Sequence, residues 1–230
     1  MNIHRREIGG LQVVELPGDP KQGTIVLFHG FGADAMDLFP LSNVYKGPTW
    51  IFPQAPLQVQ FMPGYVGRAW FPIDMEVLSK SHRENSFEDI ASAFPPDLTQ
   101  VSSIANRFVD QLDTPRSKLV LGGFSQGAIL AVETMLSSMI RCGGLLIFSG
   151  TYLESLRWKP KIHPHANTHF FQSHGMHDPL LPLRKAEELE KLLLEGGLHG
   201  RLHTFQGGHE IPPSILSKLS LFLQSLFAFA

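Results

Sequence analysis

One pentapeptide in the sequence has the residue types and spacing of a serine nucleophile. Gly123-Phe124-Ser125-Gln126-Gly127 follows the apolar run KLVLG and begins the run QGAILAVETML. A G-x-S-x-G segment between a strand and a helix places the serine on a tight turn at the edge of a sheet. The N-terminus of the helix then directs backbone N–H groups toward a negative charge that forms there. We therefore predict that Ser125 is a nucleophile; the alternative is a glycine-rich turn that happens to contain a serine.

Asp178 is the best candidate for the carboxylate that such a serine requires. A serine hydroxyl needs a neighbouring base, and the base needs a carboxylate to orient it. Where G-x-S-x-G has this role, the chain order is serine, acid, histidine. Asp178 is the only aspartate after Ser125, and it follows the apolar run HFFQS. The alternative is a turn former before Pro179.

Three histidines follow Asp178, and His209 is the favoured base among them. His199 lies in a predicted turn and His203 lies within a predicted strand. His209 lies in the segment GGHE, directly after that strand and before the last predicted helix. A loop in this place can carry an imidazole over the sheet edge. We expect His209 to accept the proton of Ser125 and later to donate it to the leaving group.

Two backbone amides are candidates for binding the oxyanion of the transition state. One is the N–H of Gln126, the residue after the nucleophile. The second is the N–H of Phe31, in the segment HGFGAD that follows the apolar run TIVLF. We interpret His29 as a structural residue beneath this turn. The alternative for the whole segment is a plain turn between a strand and a helix.

These residues require a sheet whose strand ends meet at one edge, and the pattern of the chain predicts one. Short apolar runs at 11–15, 24–28, 49–52, 118–122, 144–148, 169–173 and 200–205 are typical of strands. The first two read as a strand pair. Helical patterns cover 34–41, 98–112, 126–140, 183–195 and 213–227. Strands that alternate with helices predict an α/β fold with a mostly parallel sheet, here as one domain over residues 1–230.

Residues 53–96 interrupt this alternation with a proline-rich stretch. We interpret it as an irregular, lid-like excursion over the site, with a helix that starts near Phe87. Long irregular segments within a domain are often functional. Five apolar side chains of this stretch are candidates for a substrate pocket: Phe61, Met62, Trp70, Phe71 and Met75.

Composition excludes several classes of protein. The 230 residues are 43% hydrophobic with a formal net charge of −2, which argues against disorder and against a nucleic-acid partner. A single cysteine and no paired carboxylates beside the histidines argue against a metal site. No run reaches the length of a membrane helix and residues 1–10 carry no secretory signal, so we expect a cytoplasmic protein without stable membrane insertion. The apolar C-terminus leaves a homodimer contact open.

Five segments together resemble the phospholipase/carboxylesterase family of small α/β-hydrolases. They are LFHGFGAD, AWFPID, LGGFSQGA, HGMHDPLLP and GGHEI, and they span nearly the whole chain in order. Acyl-protein thioesterases and bacterial carboxylesterases are its best-known members. The resemblance implies an α/β-hydrolase fold without a large cap domain and an activity that needs no cofactor. It also implies that Ser125, Asp178 and His209 form the catalytic triad, with Phe31 and Gln126 at the oxyanion hole.

The expected function is that of a serine esterase or thioesterase that acts on acyl esters through an acyl-enzyme. A lysophospholipase or a depalmitoylating acyl-protein thioesterase is the alternative among enzymes. A catalytically silent protein that binds a lipid or a partner is the alternative from another class. The family motif GFSQG continues with Ala128, where thioesterase members usually have a second glycine. Since the pocket is built in the irregular excursion, the natural substrate does not follow from the triad.

Overall fold

Strands and helices alternate through the second half of the chain, as the sequence predicts. The computed structural model describes residues 3–62, 64–74, 76–77, 93–95, 98–138, 141–153 and 158–228. The strands in these ranges are β1 (His4–Ile8), β2 (Leu11–Leu16), β3 (Thr24–Phe28), β4 (Thr49–Pro53), β5 (Leu57–Met62), β6 (Tyr65–Ala69), β7 (Leu119–Phe124), β8 (Gly144–Phe148), β9 (His169–Gly175) and β10 (His199–Phe205). The helices are α1 (Thr99–Asp110), α2 (Gln126–Ser137), α3 (Leu183–Glu195) and α4 (Pro213–Ala228).

Eight of the strands form one sheet in the order β1-β2-β4-β3-β7-β8-β9-β10. Neighbouring strands from β4 to β10 are parallel, whereas β1 and β2 add an antiparallel edge. The predicted α/β fold with a mostly parallel sheet flanked by helices is therefore confirmed. Because the six parallel strands share one direction, their carboxyl ends lie along one edge of the sheet, where such folds place their ligands.

The central strand β3 illustrates how helices cover both faces of the sheet. All five of its residues are buried. Val26 and Phe28 pack in a cluster with residues of α1, α2 and α3, whereas Ile25 and Leu27 pack on the other face with residues of α4. Side chains alternate between faces along a strand, so an unbroken apolar run requires a covered sheet on both sides. Each such side chain contributes roughly 1.5–3 kcal/mol of transfer free energy.

The predicted pairing of 11–15 with 24–28 is wrong. β2 and β3 are both in the sheet, but β4 lies between them and pairs with both, antiparallel to β2 and parallel to β3. β4 has the apolar sequence TWIFP, and its last four residues are buried. Its later position in the sequence hides the fact that it completes the centre of the sheet.

The predicted helix at 34–41 is also wrong. Asp34 Oδ1 accepts a hydrogen bond of 2.7 Å from the Met36 N–H, which forms a local turn instead. A short 3-10 segment follows at Phe39–Asn43, with Pro40 near its start. A side chain that bonds the backbone two residues ahead offers that backbone an alternative to the helix.

The excursion at 53–96 is more regular than the sequence predicts. β5 and β6 form an antiparallel two-stranded sheet of their own, with Leu57 opposite Ala69 and Gln60 opposite Val66. Gly64 lies between them with φ 82°, a backbone conformation that favours glycine. We call this unit the hairpin. The helix expected near Phe87 lies outside the described residues.

Candidate active site

Ser125 lies on the tight turn between β7 and α2. Its backbone angles are φ 54° and ψ −117°, a combination that a residue with a side chain rarely adopts and that costs on the order of 1–3 kcal/mol. The Ser125 N–H donates to the Phe148 carbonyl oxygen at 2.9 Å, which ties the turn to the end of β8. The sheet thus holds the serine in a strained conformation at its carboxyl edge.

Gly127 lets the first turn of α2 approach the end of β3. A Cβ atom on this residue would lie 1.9 Å from the Phe28 carbonyl oxygen, well inside van der Waals contact. Gly30, in the loop after β3, lies against the Phe124 ring, because a Cβ there would be 3.1 Å from the ring atom Cδ1. The loop after β3 therefore packs directly on the turn that carries Ser125.

The structure brings Asp178 and His209 together. His209 Nδ1 lies 2.7 Å from Asp178 Oδ2. Asp178 follows β9, and His209 lies between β10 and α4, so two neighbouring parallel strands position the pair at the carboxyl edge. The His209 ring also packs on the Phe124 ring, with 4.8 Å between centroids. Since Phe124 directly precedes Ser125, this contact places the imidazole beside the turn that carries Ser125.

The other two histidines that follow Asp178 lie elsewhere. His199 Nε2 is 3.3 Å from Asn167 Oδ1, at the amino end of β10. The His203 ring packs on the Phe171 ring at 4.7 Å, on the face of the sheet that α4 covers. Of the three histidines, His209 is the one with a described contact to Asp178.

Asp178 is held as a carboxylate by the groups around it. Burial by itself would raise its pKa, but the hydrogen bond and the charge of His209 lower it, as do the N–H groups of Leu181 and Leu180. Those two N–H groups donate to Asp178 Oδ1 at 2.9 and 2.8 Å. The balance leaves the pKa below its usual value. Asp178 is therefore ionised at neutral pH and can accept a hydrogen bond from the N–H of His209 Nδ1.

A further histidine reaches the same carboxylate, and the sequence assigns it no role. His174 Nε2 lies 3.3 Å from Asp178 Oδ2. His174 belongs to β9 and Asp178 lies four residues later, after the strand has ended. Spacing alone does not indicate this contact, because the chain must turn back at residues 175–178 to make it.

The loop with Phe31 is tied to the hairpin. The Gly32 N–H donates to the Arg68 carbonyl oxygen at 2.8 Å, and the Arg68 N–H donates to the Ala33 carbonyl oxygen at 2.9 Å. A Cβ atom on Gly67 would lie 2.0 Å from the Gly32 carbonyl oxygen, so the close approach requires glycine. Phe31 therefore lies in a loop that is hydrogen-bonded to β6 and that packs against the turn carrying Ser125.

His29 has a structural role beneath this loop. Its Nε2 accepts a hydrogen bond of 3.1 Å from the Ala55 N–H, so Nδ1 carries the proton and donates to the Gly30 carbonyl oxygen at 2.8 Å. Burial lowers the pKa of His29 and keeps the ring neutral. Since both ring nitrogens are occupied, His29 does not act as a rival base.

The side chain of Gln126 connects the turn that carries Ser125 to the backbone of residues 70 and 71 by two hydrogen bonds. Its Oε1 accepts from the Trp70 N–H at 2.8 Å, and its Nε2 donates to the Phe71 carbonyl oxygen at 2.7 Å. Gln126 is buried, and so are both backbone groups. The sequence predicts a role for its backbone N–H alone. The side-chain contact depends on the path of residues 70–71, which the sequence does not predict.

We expect Gln126→Leu to lower the free energy of unfolding by about 2–4 kcal/mol, because it leaves a buried N–H and a buried carbonyl without partners. Leucine keeps the backbone N–H at position 126. A fall in the kcat of ester hydrolysis would therefore mean that the turn carrying Ser125 has moved. Urea unfolding and ester kinetics measure the two effects. Gln224→Leu, an exposed position on α4, is the matched control and should change stability by less than about 0.5 kcal/mol. Equal stability of the two variants would show that the hydrogen bonds of the Gln126 side chain to residues 70 and 71 do not stabilise the fold.

Two of the five candidate pocket residues have described side chains. Trp70 and Phe71 are 2% and 3% exposed and belong to the core cluster, where the Trp70 ring packs edge-on against Phe28 at 5.1 Å. They support the site from below and present no open wall. Phe61 and Met62 lie in β5, but their side chains are outside the described part of the structure, and Met75 lies outside it altogether.

The described residues contain neither a cluster of metal-ligating side chains nor a membrane-spanning helix. Within the described ranges, no group of three or more histidine, cysteine, aspartate or glutamate side chains is placed to hold a metal ion. No helix in the same ranges is both long enough and apolar enough to cross a membrane.

Comparison with known proteins gives one family and a consistent set of relatives. Residues 10–227 match the model of the family described as Phospholipase/Carboxylesterase. Acyl-protein thioesterase 1 of Debaryomyces hansenii is 30% identical over 203 residues, which cover 82% of this chain and 84% of that protein. Acyl-protein thioesterase 1 of Eremothecium gossypii is 30% identical over 221 residues, which cover 90% of this chain and 88% of that protein.

Solved structures share the fold. Esterase PE8 aligns with a TM-score of 0.79 at 24% identity and covers 98% of this chain and 100% of its own. The Bacillus cereus carboxylesterase aligns with a TM-score of 0.69 at 18% identity over 94% of each chain. At these identities the likeness concerns the fold, which agrees with the sheet order described above.

Proposed function

The chain belongs to the phospholipase/carboxylesterase family, and we propose that it cleaves esters or thioesters of acyl chains through a serine–histidine–aspartate mechanism. Family membership makes it a carboxylic ester hydrolase. The observation that supports the mechanism best is the hydrogen bond of 2.7 Å between His209 Nδ1 and Asp178 Oδ2. It lies beside the strained turn of Ser125, at the edge of the sheet where the parallel strands end.

In the first step, His209 acts as the base. Asp178 holds the proton on Nδ1, which leaves Nε2 as an acceptor for the proton of Ser125 Oγ. The serine oxygen then attacks the acyl carbon, and the carbonyl oxygen becomes an oxyanion. Asp178 stays ionised and stabilises the imidazolium that forms on His209.

Backbone N–H groups bind the oxyanion. The Gln126 N–H, at the start of α2, supplies one donor and the Phe31 N–H supplies the second. Support for this pair comes from the packing of the loop after β3 on the nucleophile turn. Both donors are part of the backbone, so the site needs no reorganisation as the charge develops.

The intermediate collapses when His209 donates its proton to the leaving alcohol or thiol. This leaves the acyl group on Ser125. A water molecule then gives its proton to His209 and attacks the acyl-enzyme, and collapse of the second intermediate returns the proton to Ser125 and releases the acid. The residues involved range from Phe31 to His209, so we also propose that residues 1–230 act as one domain.

The substrate is an acyl ester or thioester, and the names of the relatives favour a thioester on a protein. Two acyl-protein thioesterases cover more than four-fifths of this chain at 30% identity. The first candidate is cleavage of acyl esters or thioesters in general. These relatives favour depalmitoylation of proteins as the second, more specific candidate, and lysophospholipase activity is the alternative on lipids. Initial rates on p-nitrophenyl esters from C2 to C16, a palmitoyl-cysteine peptide and lysophosphatidylcholine would rank the three. The cytoplasmic location and the homodimer contact stay predictions.

Labelling with a fluorophosphonate tests the proposal, because the reagent reacts with an activated serine. We expect stoichiometric phosphonylation of the folded protein, mapped to Ser125 by mass spectrometry, and loss of ester hydrolysis in proportion. Heat-denatured protein is the control and should not react. A folded protein that neither labels nor hydrolyses any of the esters would favour the catalytically silent lipid- or partner-binding protein.

A further inference from the structure

Asp178 contacts two histidines, and His174 has no place in the three-residue mechanism. His174 Nε2 lies 3.3 Å from Asp178 Oδ2 and 2.8 Å from the Leu181 carbonyl oxygen. The side chains of His174 and Asp178 are both 0% exposed. His209 Nδ1 contacts the same oxygen, Oδ2, at 2.7 Å.

The contacts of His174 determine which of its nitrogens carries the proton. Nε2 faces two acceptors, so it must bear the hydrogen. Nδ1 has no hydrogen-bond partner among the described residues and is buried. A second proton would place a positive charge in a buried site, which is costly. Burial lowers the pKa of His174, and the nearby charge of His209 lowers it further, although Asp178 and the backbone groups of Leu181 and Gly150 oppose this. His174 is therefore neutral, with its proton directed at Leu181 and Asp178.

Leu181 closes this arrangement into a ring of contacts. Its carbonyl oxygen accepts from His174, and its N–H donates to Asp178 Oδ1 at 2.9 Å. Strand β9 fixes His174, so the imidazole connects the rigid sheet to the turn that carries Asp178. With the Leu180 N–H and His209, four donors surround the two carboxylate oxygens. Few other orientations of this carboxylate would satisfy them all.

We propose that His174 is a positioning residue for the reaction, which fixes Asp178 and limits how strongly Asp178 binds His209. The inference rests on the proposed function. A hydrogen bond to Asp178 Oδ2 withdraws negative charge from the oxygen that His209 uses. Without it, the carboxylate stabilises the imidazolium more strongly, and His209 gains its proton at a higher pH. The carboxylate also gains freedom to rotate, so His209 points less accurately at Ser125.

The test compares His174→Leu with His174→Gln. Leucine removes the donor, whereas the glutamine amide places an N–H near the position of Nε2. We expect His174→Leu to lower kcat of p-nitrophenyl ester hydrolysis by about 10- to 100-fold, by analogy with the loss of hydrogen-bond partners that orient the ligands of metal sites. KM should change by less than about twofold, and the acid limb of the kcat/KM profile should move to higher pH. Within the described residues, the ionisable groups that face the His174 imidazole are Asp178 and His209. The shift of the acid limb therefore needs no third ionisable group.

Glutamine should recover most of the rate and return the acid limb toward the wild-type pH. His177→Gln is the matched control, because His177 lies in the same turn but bonds Gln206 Oε1 on the surface. It should leave both kcat and the pH profile unchanged. An unaltered acid limb in His174→Leu, or a glutamine variant no better than leucine, would reduce His174 to a packing residue.

A measurement on the wild-type protein keeps the inference testable if His174→Leu does not fold. Nitrogen-15 chemical shifts of the histidine rings should show His174 as the neutral Nε2–H tautomer at pH 7. A His174 that is protonated at pH 7, or that carries its hydrogen on Nδ1, overturns the inference. This measurement does not depend on turnover, so it also separates a wrong role for His174 from a wrong assignment of the enzyme.

Discussion

Replacing Ser125 with alanine is expected to lower the kcat of ester hydrolysis by about 10⁴- to 10⁶-fold, as removal of a serine nucleophile does in other hydrolases. The variant loses the atom that forms the acyl-enzyme but keeps the oxyanion donors. Stability should be nearly unchanged, because alanine keeps the Cβ atom and the strained angles already accepted at this position. The Ser125 hydroxyl also makes no capping hydrogen bond to α2 that could be lost. Steady-state kinetics and thermal unfolding measure both quantities.

Ser103→Ala provides the control for this experiment. Ser103 lies on an exposed face of α1, where its hydroxyl donates to the Thr99 carbonyl oxygen at 2.7 Å. Its removal should leave kcat within twofold of wild type. If Ser125→Ala keeps more than about a tenth of the wild-type rate while it is correctly folded, Ser125 is not the nucleophile and the proposed mechanism fails.

The second large effect is expected from His209→Ala, which should lower kcat by about 10⁴-fold or more. The variant removes the base and leaves Asp178 with one donor fewer at Oδ2. KM should move much less, because the imidazole acts on protons more than on the acyl chain. Turnover of a p-nitrophenyl ester measures the loss, and fluorophosphonate labelling should slow in parallel, since Ser125 loses its activating partner.

His203→Ala is the matched control, because it removes another imidazole from the same part of the chain. His203 lies within β10, where its ring packs on Phe171 on the face that α4 covers, and no described contact joins it to Asp178. Most of the activity should remain. Equal loss of activity in the two variants, with folding intact, would contradict the assignment of His209 as the base.

The sequence predicts much of this fold because the central strands are apolar on both faces. KLVLG and GLLIF have no polar side to expose, so they indicate a covered sheet before any contact is known. The chain order of Ser125, Asp178 and His209 then selects one acid and one base, and parallel strands bring their following loops to one edge. The site therefore depends on features that the sequence carries locally.

The errors of the sequence-based prediction arise where contacts between distant segments decide the structure. β4 separates β2 from β3 because its own two faces are apolar, which the order of the strands along the chain does not reveal. Asp34 forms a turn with Met36 and so competes with the expected helix. β1 is mostly exposed and charged, with the sequence HRREI, so it has no apolar pattern to identify it.

The sequence does not predict the contacts that support the site either. The sequence predicts a role for the Gln126 backbone alone, yet its side chain bonds the backbone of residues 70 and 71. His174 reaches Asp178 because the chain turns back after β9. Trp70 is an apolar candidate for a pocket wall, but it is buried in the core against Phe28, and its indole N–H donates to the His29 carbonyl oxygen at 2.9 Å. Partners of this kind depend on tertiary geometry and leave no local pattern.

The pairing of β3 with β7 also has a consequence for how the enzyme becomes active. These two strands meet across residues 29–118, with Thr24 opposite Leu119 and Phe28 opposite Gly123. The loop of Phe31 and the turn of Ser125 follow them, so the proposed oxyanion site can form only after this long loop has closed. Contacts of high sequence separation form slowly, because the entropy of the intervening chain is lost before they are gained. Helices can form before these strands pair, so the return of esterase activity during refolding is expected to follow the pairing of β3 with β7.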